Sequence, residues 1–151
     1  MKKAKKFISL FITICLLMTF IPMQMAYADS AFSGGNGTMD DPYLITSAND
    51  FKQLATEVNG GNNYSNTYFK IPETVTETIE LSTDDGYVPI GNDTNQFEGT
   101  FDGGNHTINL NLTGERLVGL FGEGGENSNL CNIRTTGSVS MTGYYAGGIV
   151  A

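Results

Sequence analysis

Tryptophan is absent from these 151 residues, histidine occurs once and cysteine twice. With His106 alone, a paired-histidine zinc site of the His-Glu-x-x-His kind cannot be built. Cys15 lies in an N-terminal apolar run expected to be removed, which leaves Cys131 and excludes an intrachain disulfide framework. Stability must therefore come from packing, even in a compartment where disulfides are allowed. Basic residues are scarce too: beyond residue 28 only Lys52, Lys70, Arg116 and Arg134 remain against 16 acids, a formal charge of −12. Such a surface repels nucleic acid and anionic membrane, both of which are bound through Lys/Arg clusters. No second apolar run of spanning length follows the first.

That first run is a leader. Lys2, Lys3, Lys5 and Lys6 precede the almost wholly apolar Phe7 to Ile21, and Ala26-Tyr-Ala28 supplies small residues at a cleavage site. Residues 1–28 are expected to form a secretory signal peptide, cut after Ala28, with 29–151 as the exported domain. An uncleaved anchor is the competing reading; Pro22 and the Ala-x-Ala site weigh against it.

All 19 glycines lie after the leader, and they punctuate a repeat. Leu112-Thr-Gly-Glu-Arg-Leu-Val-Gly-Leu-Phe-Gly122 recurs as Met141-Thr-Gly-Tyr-Tyr-Ala-Gly-Gly-Ile-Val-Ala151, with Thr113 and Thr142, Gly119 and Gly148, and Leu120 and Ile149 all 29 positions apart. In the same register Leu110 falls on Val139. A fixed period of this size marks a repeat architecture. Each copy starts with alternation: Ile108, Leu110 and Leu112 share one parity, as do Val139 and Met141, which predicts half-buried strands. A Thr-Gly turn is expected after each strand, then a short apolar corner flanked by glycines. One such unit cannot bury its own apolar face, but stacked units can. The expected fold is a mainly β solenoid, with repeats from about residue 107.

Upstream, Tyr43 to Ile45, Tyr68 to Ile71, Thr78 to Leu81 and Tyr87 to Ile90 are expected to be short strands. One helix is predicted at about 47–59. Ser47 is a good N-cap with Asp50 at N3, and Phe51, Leu54, Ala55 and Val58 recur at helical spacing on one face. Gly60-Gly61 ends it. An amphipathic helix ahead of a solenoid suits an end cap that lays its apolar stripe over the first coil; packing on the side of the coils is the alternative.

Phe97-Glu-Gly-Thr-Phe-Asp-Gly-Gly-Asn-His-Thr-Ile108, followed by Gly119-Leu-Phe-Gly122, resembles the GLUG-motif repeats of bacterial cell-surface and secreted proteins. Gly34 to Ile45 with the helix that follows is similar to the segment preceding such repeats, and Tyr87-Val-Pro-Ile-Gly91 fits the pattern with Tyr at an aromatic position often held by Trp. The resemblance implies a right-handed parallel β-helix within exported, often very long proteins, some adhesin-like and some carrying a peptidase domain elsewhere. This sequence contains no peptidase motif and no wall-anchoring tail, and its second repeat is expected to be truncated.

Catalytic chemistry finds little support. His106 has only Asp102 nearby and is expected to hydrogen-bond the corner backbone. Asp93, Glu98 and Asp102 fall around one turn region, whereas Asp40-Asp41 and Asp84-Asp85 are adjacent pairs. Glycosidic hydrolysis needs two carboxylates about 5–10 Å apart, and neighbours on a strand point to opposite faces. Solvated turn acids are the preferred reading. Calcium binding at Asp84-Asp-Gly86 or Asn92-Asp-Thr94 has suitable oxygens but no EF-hand spacing. Cys131 is expected to be inert packing, and Tyr144-Tyr145 either to fill a corner or to stack on a sugar or partner. No catalytic, cofactor-binding or metal-binding residue is assigned. The expectation is a non-enzymatic surface module of adhesion or spacer type, with an unidentified glycan or protein ligand and self-association through an open C-terminal edge. The alternative is the N-terminal, non-catalytic part of a secreted peptidase or polysaccharide-degrading enzyme.

Overall fold

The computed structural model describes residues 32–151; the leader expected at 1–28 lies outside them. The described residues are mainly β, with strands β1 Tyr43–Leu44, β2 Tyr68–Lys70, β3 Ile79–Ser82, β4 Thr100–Asp102, β5 Thr107–Val118, β6 Asn129–Cys131 and β7 Arg134–Ala146, and one helix, α1 Ala48–Asn59. All pairing between them is parallel. One sheet has the order β1-β2-β4-β6 and the other β3-β5-β7. The chain runs from the first sheet to the second and returns beside its previous strand. A third column of parallel bridges, Ile90 to Phe121 to Val150, completes each circuit.

Alternation places the core. Along β5, Ile108, Leu110 and Leu112 are buried while Thr107, Asn109 and Asn111 face outward. Aromatic rings carry the interior from one circuit to the next. Phe69 meets Phe97 at 5.8 Å, Phe97 meets Phe121 at 5.3 Å, and Phe121 meets Phe101 at 5.6 Å between centroids, within the range where edge-on and tilted pairs attract. Tyr87, fully buried, donates its hydroxyl to the Leu120 carbonyl at 2.6 Å and so ties two circuits together.

The helix forms as its sequence predicts. Ser47 and Asp50 make a reciprocal capping box. Asp50, itself buried, also accepts from Thr46 N at 2.8 Å and Ser33 Oγ at 2.9 Å, so its charge is fully hydrogen-bonded. Phe51, Leu54, Ala55 and Val58 are completely buried. In chain order α1 follows β1 as β3 follows β2, and it packs on β3. Lys52 Nζ donates to Asp85 O at 2.7 Å, while Asn59 donates to Pro89 O and accepts from Gly91 N, both at 3.0 Å.

Three expectations need correction. Tyr87 to Ile90 is not a strand; only Ile90 bridges, because Pro89 lacks a donor and Gly91 turns the chain at φ +85°. A side chain on Gly91 would also place Cβ 2.1 Å from the Glu123 carbonyl oxygen. Thr113-Gly114 and Thr142-Gly143 are not turns, since β5 and β7 run straight through them. Nor does the 29-residue offset hold along the strands. It holds for Phe101 opposite Leu130 and Phe121 opposite Val150, but β5 pairs with β7 at an offset of 27 from Thr107–Arg134 to Gly114–Met141. The corner before β7 is two residues shorter than the corner before β5, and an irregularity between Gly114 and Arg116 begins to restore the offset. A shift of two preserves parity, so Val139 and Met141 still pack against the core, although Val139 faces Leu112 rather than Leu110.

Candidate functional site

The acids grouped by sequence are dispersed by the fold. Asp93 pairs with Arg116 at 2.7 Å on the surface. Glu98 accepts from Asn127 Nδ2 at 2.7 Å. Asp102 accepts from Gly104 N and Asn132 Nδ2, both at 2.9 Å. Partial burial pushes the Asp102 carboxyl up, but those two hydrogen bonds and nearby Lys70 outweigh it and hold the group below the usual carboxylate range. Each carboxylate is thus engaged with a different partner. Among the described residues no group of three His, Cys, Asp or Glu side chains is placed to hold a metal ion.

His106 departs from expectation. Its backbone N–H donates to Gly103 O at 2.9 Å, but the side-chain Nε2 is buried without a hydrogen-bond partner. The imidazole packs on the Gly103-Gly104 corner, where a Cβ on Gly104 would lie 3.0 Å from its Cδ2. Cys131 is half-buried beside Asp102, and burial, then that carboxylate, raise its thiol pKa, the opposite of what a reactive thiolate needs.

What the fold does assemble is an outward polar ladder on the β3-β5-β7 sheet. Asn109 donates to Glu80 at 2.6 Å and accepts from Thr136 at 3.1 Å, and Thr83 Oγ1 accepts from Thr113 N at 3.0 Å. An open depression of about 600 Å³ runs over this ladder, lined by residues including Glu80, Asp84, Asn109, Asn111 and Ser138. Its groups bond mainly to one another across the strands, as structural side-chain ladders do. Sequence periodicity gave the facing of these residues but not the ladder, whose pairing depends on the 27-residue register.

The exposed aromatics are more telling. Tyr144 and Tyr145 are 75% and 66% exposed, which excludes the corner-filling alternative. Tyr145 also holds a positive φ of 65°. Both lie near the end of β7, which pairs with β5 on one side and with no other strand among the described residues.

No family model and no solved structure matches the chain. It is 33% identical over 136 residues to a protein of Evansella cellulosilytica provisionally named a Gly-rich membrane protein, a match covering 87% of this chain and 15% of that protein. It is 38% identical over 125 residues to halomucin of Haloquadratum walsbyi, covering 78% of this chain and 1% of that protein. The chain thus spans only a small part of the length of these curated relatives. No helix among the described residues is long and apolar enough to cross a membrane.

Proposed function

We propose that this chain is an exported, non-enzymatic module of a cell-surface protein, folded as a right-handed parallel β-helix of the GLUG-motif kind with α1 as its N-terminal cap. The observation that carries the reading is the return of the chain, circuit after circuit, to the next position in the same two parallel sheets. That arrangement gives length and stiffness rather than an enclosed site. The helix lies against β3, as a cap would, with its whole apolar stripe buried. The names of the two longer relatives, one a membrane protein and one a halomucin, favour a surface location, and the small share of each that is matched favours a module within a larger architecture. The module acts as a spacer or adhesive segment, and a glycan or a protein is the ligand class its polar ladder and tyrosines suit.

The test is secretion and exposure. N-terminal sequencing of exported material should find Ala28 removed, and protease added to intact cells should cleave the protein. A product that retains Met1, or one protected until lysis, overturns the surface assignment. Turnover from a panel of glycans and peptides that disappears in Asp102→Asn would overturn the non-enzymatic one.

A further inference from the structure

The two ends of the strand stacks differ in kind. At the first end the edge of β1 is already occupied, since Leu44 N donates to Gly34 O at 2.9 Å and Ser33 N donates to Leu44 O at 3.2 Å. The start of the other sheet, β3, lies under α1. At the last end nothing among the described residues pairs with the outer edge of β6 or of β7. The β7 edge is 13 residues long.

Edges of that length are normally protected by charge, proline or a covering element. This one has almost none of these. The last acid in the sequence is Glu126, and from Asn127 to Ala151 the only charged side chain is Arg134 and there is no proline. A chain with a strong negative excess therefore ends its stack in a layer without a single carboxylate side chain. The half-buried Val139 and Met141 lie along that layer, next to exposed Tyr144 and to Val150, 44% exposed.

We infer that the β7 edge pairs with the β7 edge of a second copy of this chain, antiparallel and about a twofold axis. Two features select this occupant. Charge allows it, because the two neutral layers meet while the acids of both copies stay on the far circuits. Topology limits it, because the first end is closed, so head-to-tail addition has no free edge to meet and the assembly stops at two. Across a twofold normal to the sheet, inward side chains of one β7 meet inward side chains of the other, which brings the Val139 and Met141 rows together. The inference needs only the open edge and stands whether or not the module is displayed on a surface.

The experiment is sedimentation of the exported chain over a wide concentration range, with Ser140→Glu and Ser140→Lys as variants. Ser140 is exposed on β7, so neither change disturbs the core. Expected are monomer and dimer only, with each variant weakening the dimer roughly tenfold or more and an equimolar mixture of the two restoring it. Circular dichroism should find both variants as folded as the parent. In a Cys131→Ser background, Ser140→Cys should cross-link two copies on mild oxidation, whereas Thr38→Cys near the closed end should not. A chain that stays monomeric at its solubility limit, as it would if this edge served a different polypeptide, overturns the inference. So does a ladder of higher oligomers, or a dimer indifferent to the Ser140 substitutions.

Discussion

β5 and β7 are successive passes of the chain through the same sheet, in register from Thr107–Arg134 onward, yet they differ sharply in burial. On β5, Ile108, Leu110, Leu112 and Val118 are buried. Their partners on β7 are Thr135, Gly137, Val139 and Ala146, of which two are half-buried and two exposed. Two causes act together. β5 has a strand on either side and β7 on one only, and the β7 side chains at these positions are smaller. In a stacked fold, then, alternation tells which way a side chain faces, while the neighbouring circuits decide how much of it leaves water.

The widest gap should separate the covered end from the open one. Leu54→Asp puts an unpaired charge into the fully buried stripe of α1 and should cost about 4 kcal/mol or prevent folding. Ile149→Asp, in the half-buried final segment, should cost about 1 kcal/mol or less. Chemical denaturation of both variants checks this. Equal losses would mean that the open edge is already as well covered as the helix stripe.

Within the sheet the contrast should be smaller but in the same direction. Leu110→Ala should lose about 3 kcal/mol, because the surrounding circuits cannot collapse into the cavity. Val139→Ala, with water on one side, should lose about 1 kcal/mol. If association through β7 is measured as proposed, the cost of Val139→Ala should rise with protein concentration while that of Leu110→Ala should not.

How far the sequence reveals this depends on which physical rule each residue obeys. Ser47, Asp50 and the stripe from Phe51 to Val58 follow local rules of capping and helical spacing, and the structure places them as those rules require. The inward parity of Ile108, Leu110 and Leu112 is equally local. Register is not. The 27-residue pairing follows from a corner two residues shorter in the next circuit, and no pattern within either strand encodes it. Gly114 and Gly143 were expected at turns because glycine weakens an isolated strand. Here ladder bonds from the adjacent circuit hold the backbone extended through both positions. His106 was expected to bond the corner, but the closely packed glycines leave its Nε2 without a partner. The candidate surface was legible only in part: Tyr144 and Tyr145 stood out, but their exposure depends on which circuit lies beyond them.

A third test addresses the link between circuits. Tyr87→Phe deletes the hydroxyl that reaches Leu120 O and leaves that buried carbonyl short of a donor, which should cost about 1–2 kcal/mol in thermal or chemical unfolding. A smaller loss would show that ring packing alone joins the circuits. Burial raises the Tyr87 pKa far above its ordinary value, so the hydroxyl stays protonated and the loss should not vary across the neutral range.

The smallest effect concerns Asp102, whose hydrogen bond to Asn132 straps β4 to the corner that leads into β7. Its pKa is lowered in the folded state although partial burial alone would raise it, because Asn132, Gly104 and Lys70 favour the charged form. A depressed folded pKa means that the stabilisation is fully present above the unfolded value, about 3.9 for an aspartate, and is lost as pH falls through the folded value. Much of the group is solvated, so screening should keep the contribution below about 1 kcal/mol. In Asp102→Asn the amide oxygen can still accept both hydrogen bonds, but the charge and its attraction to Lys70 are gone. The parent should therefore be slightly more stable than the variant at pH 7, and the two should converge as pH falls below about 4. The shape of the difference decides the matter: a gap that is constant with pH would mean that the strap is geometric, and that the carboxylate charge contributes nothing to joining the well-buried circuit to the open one.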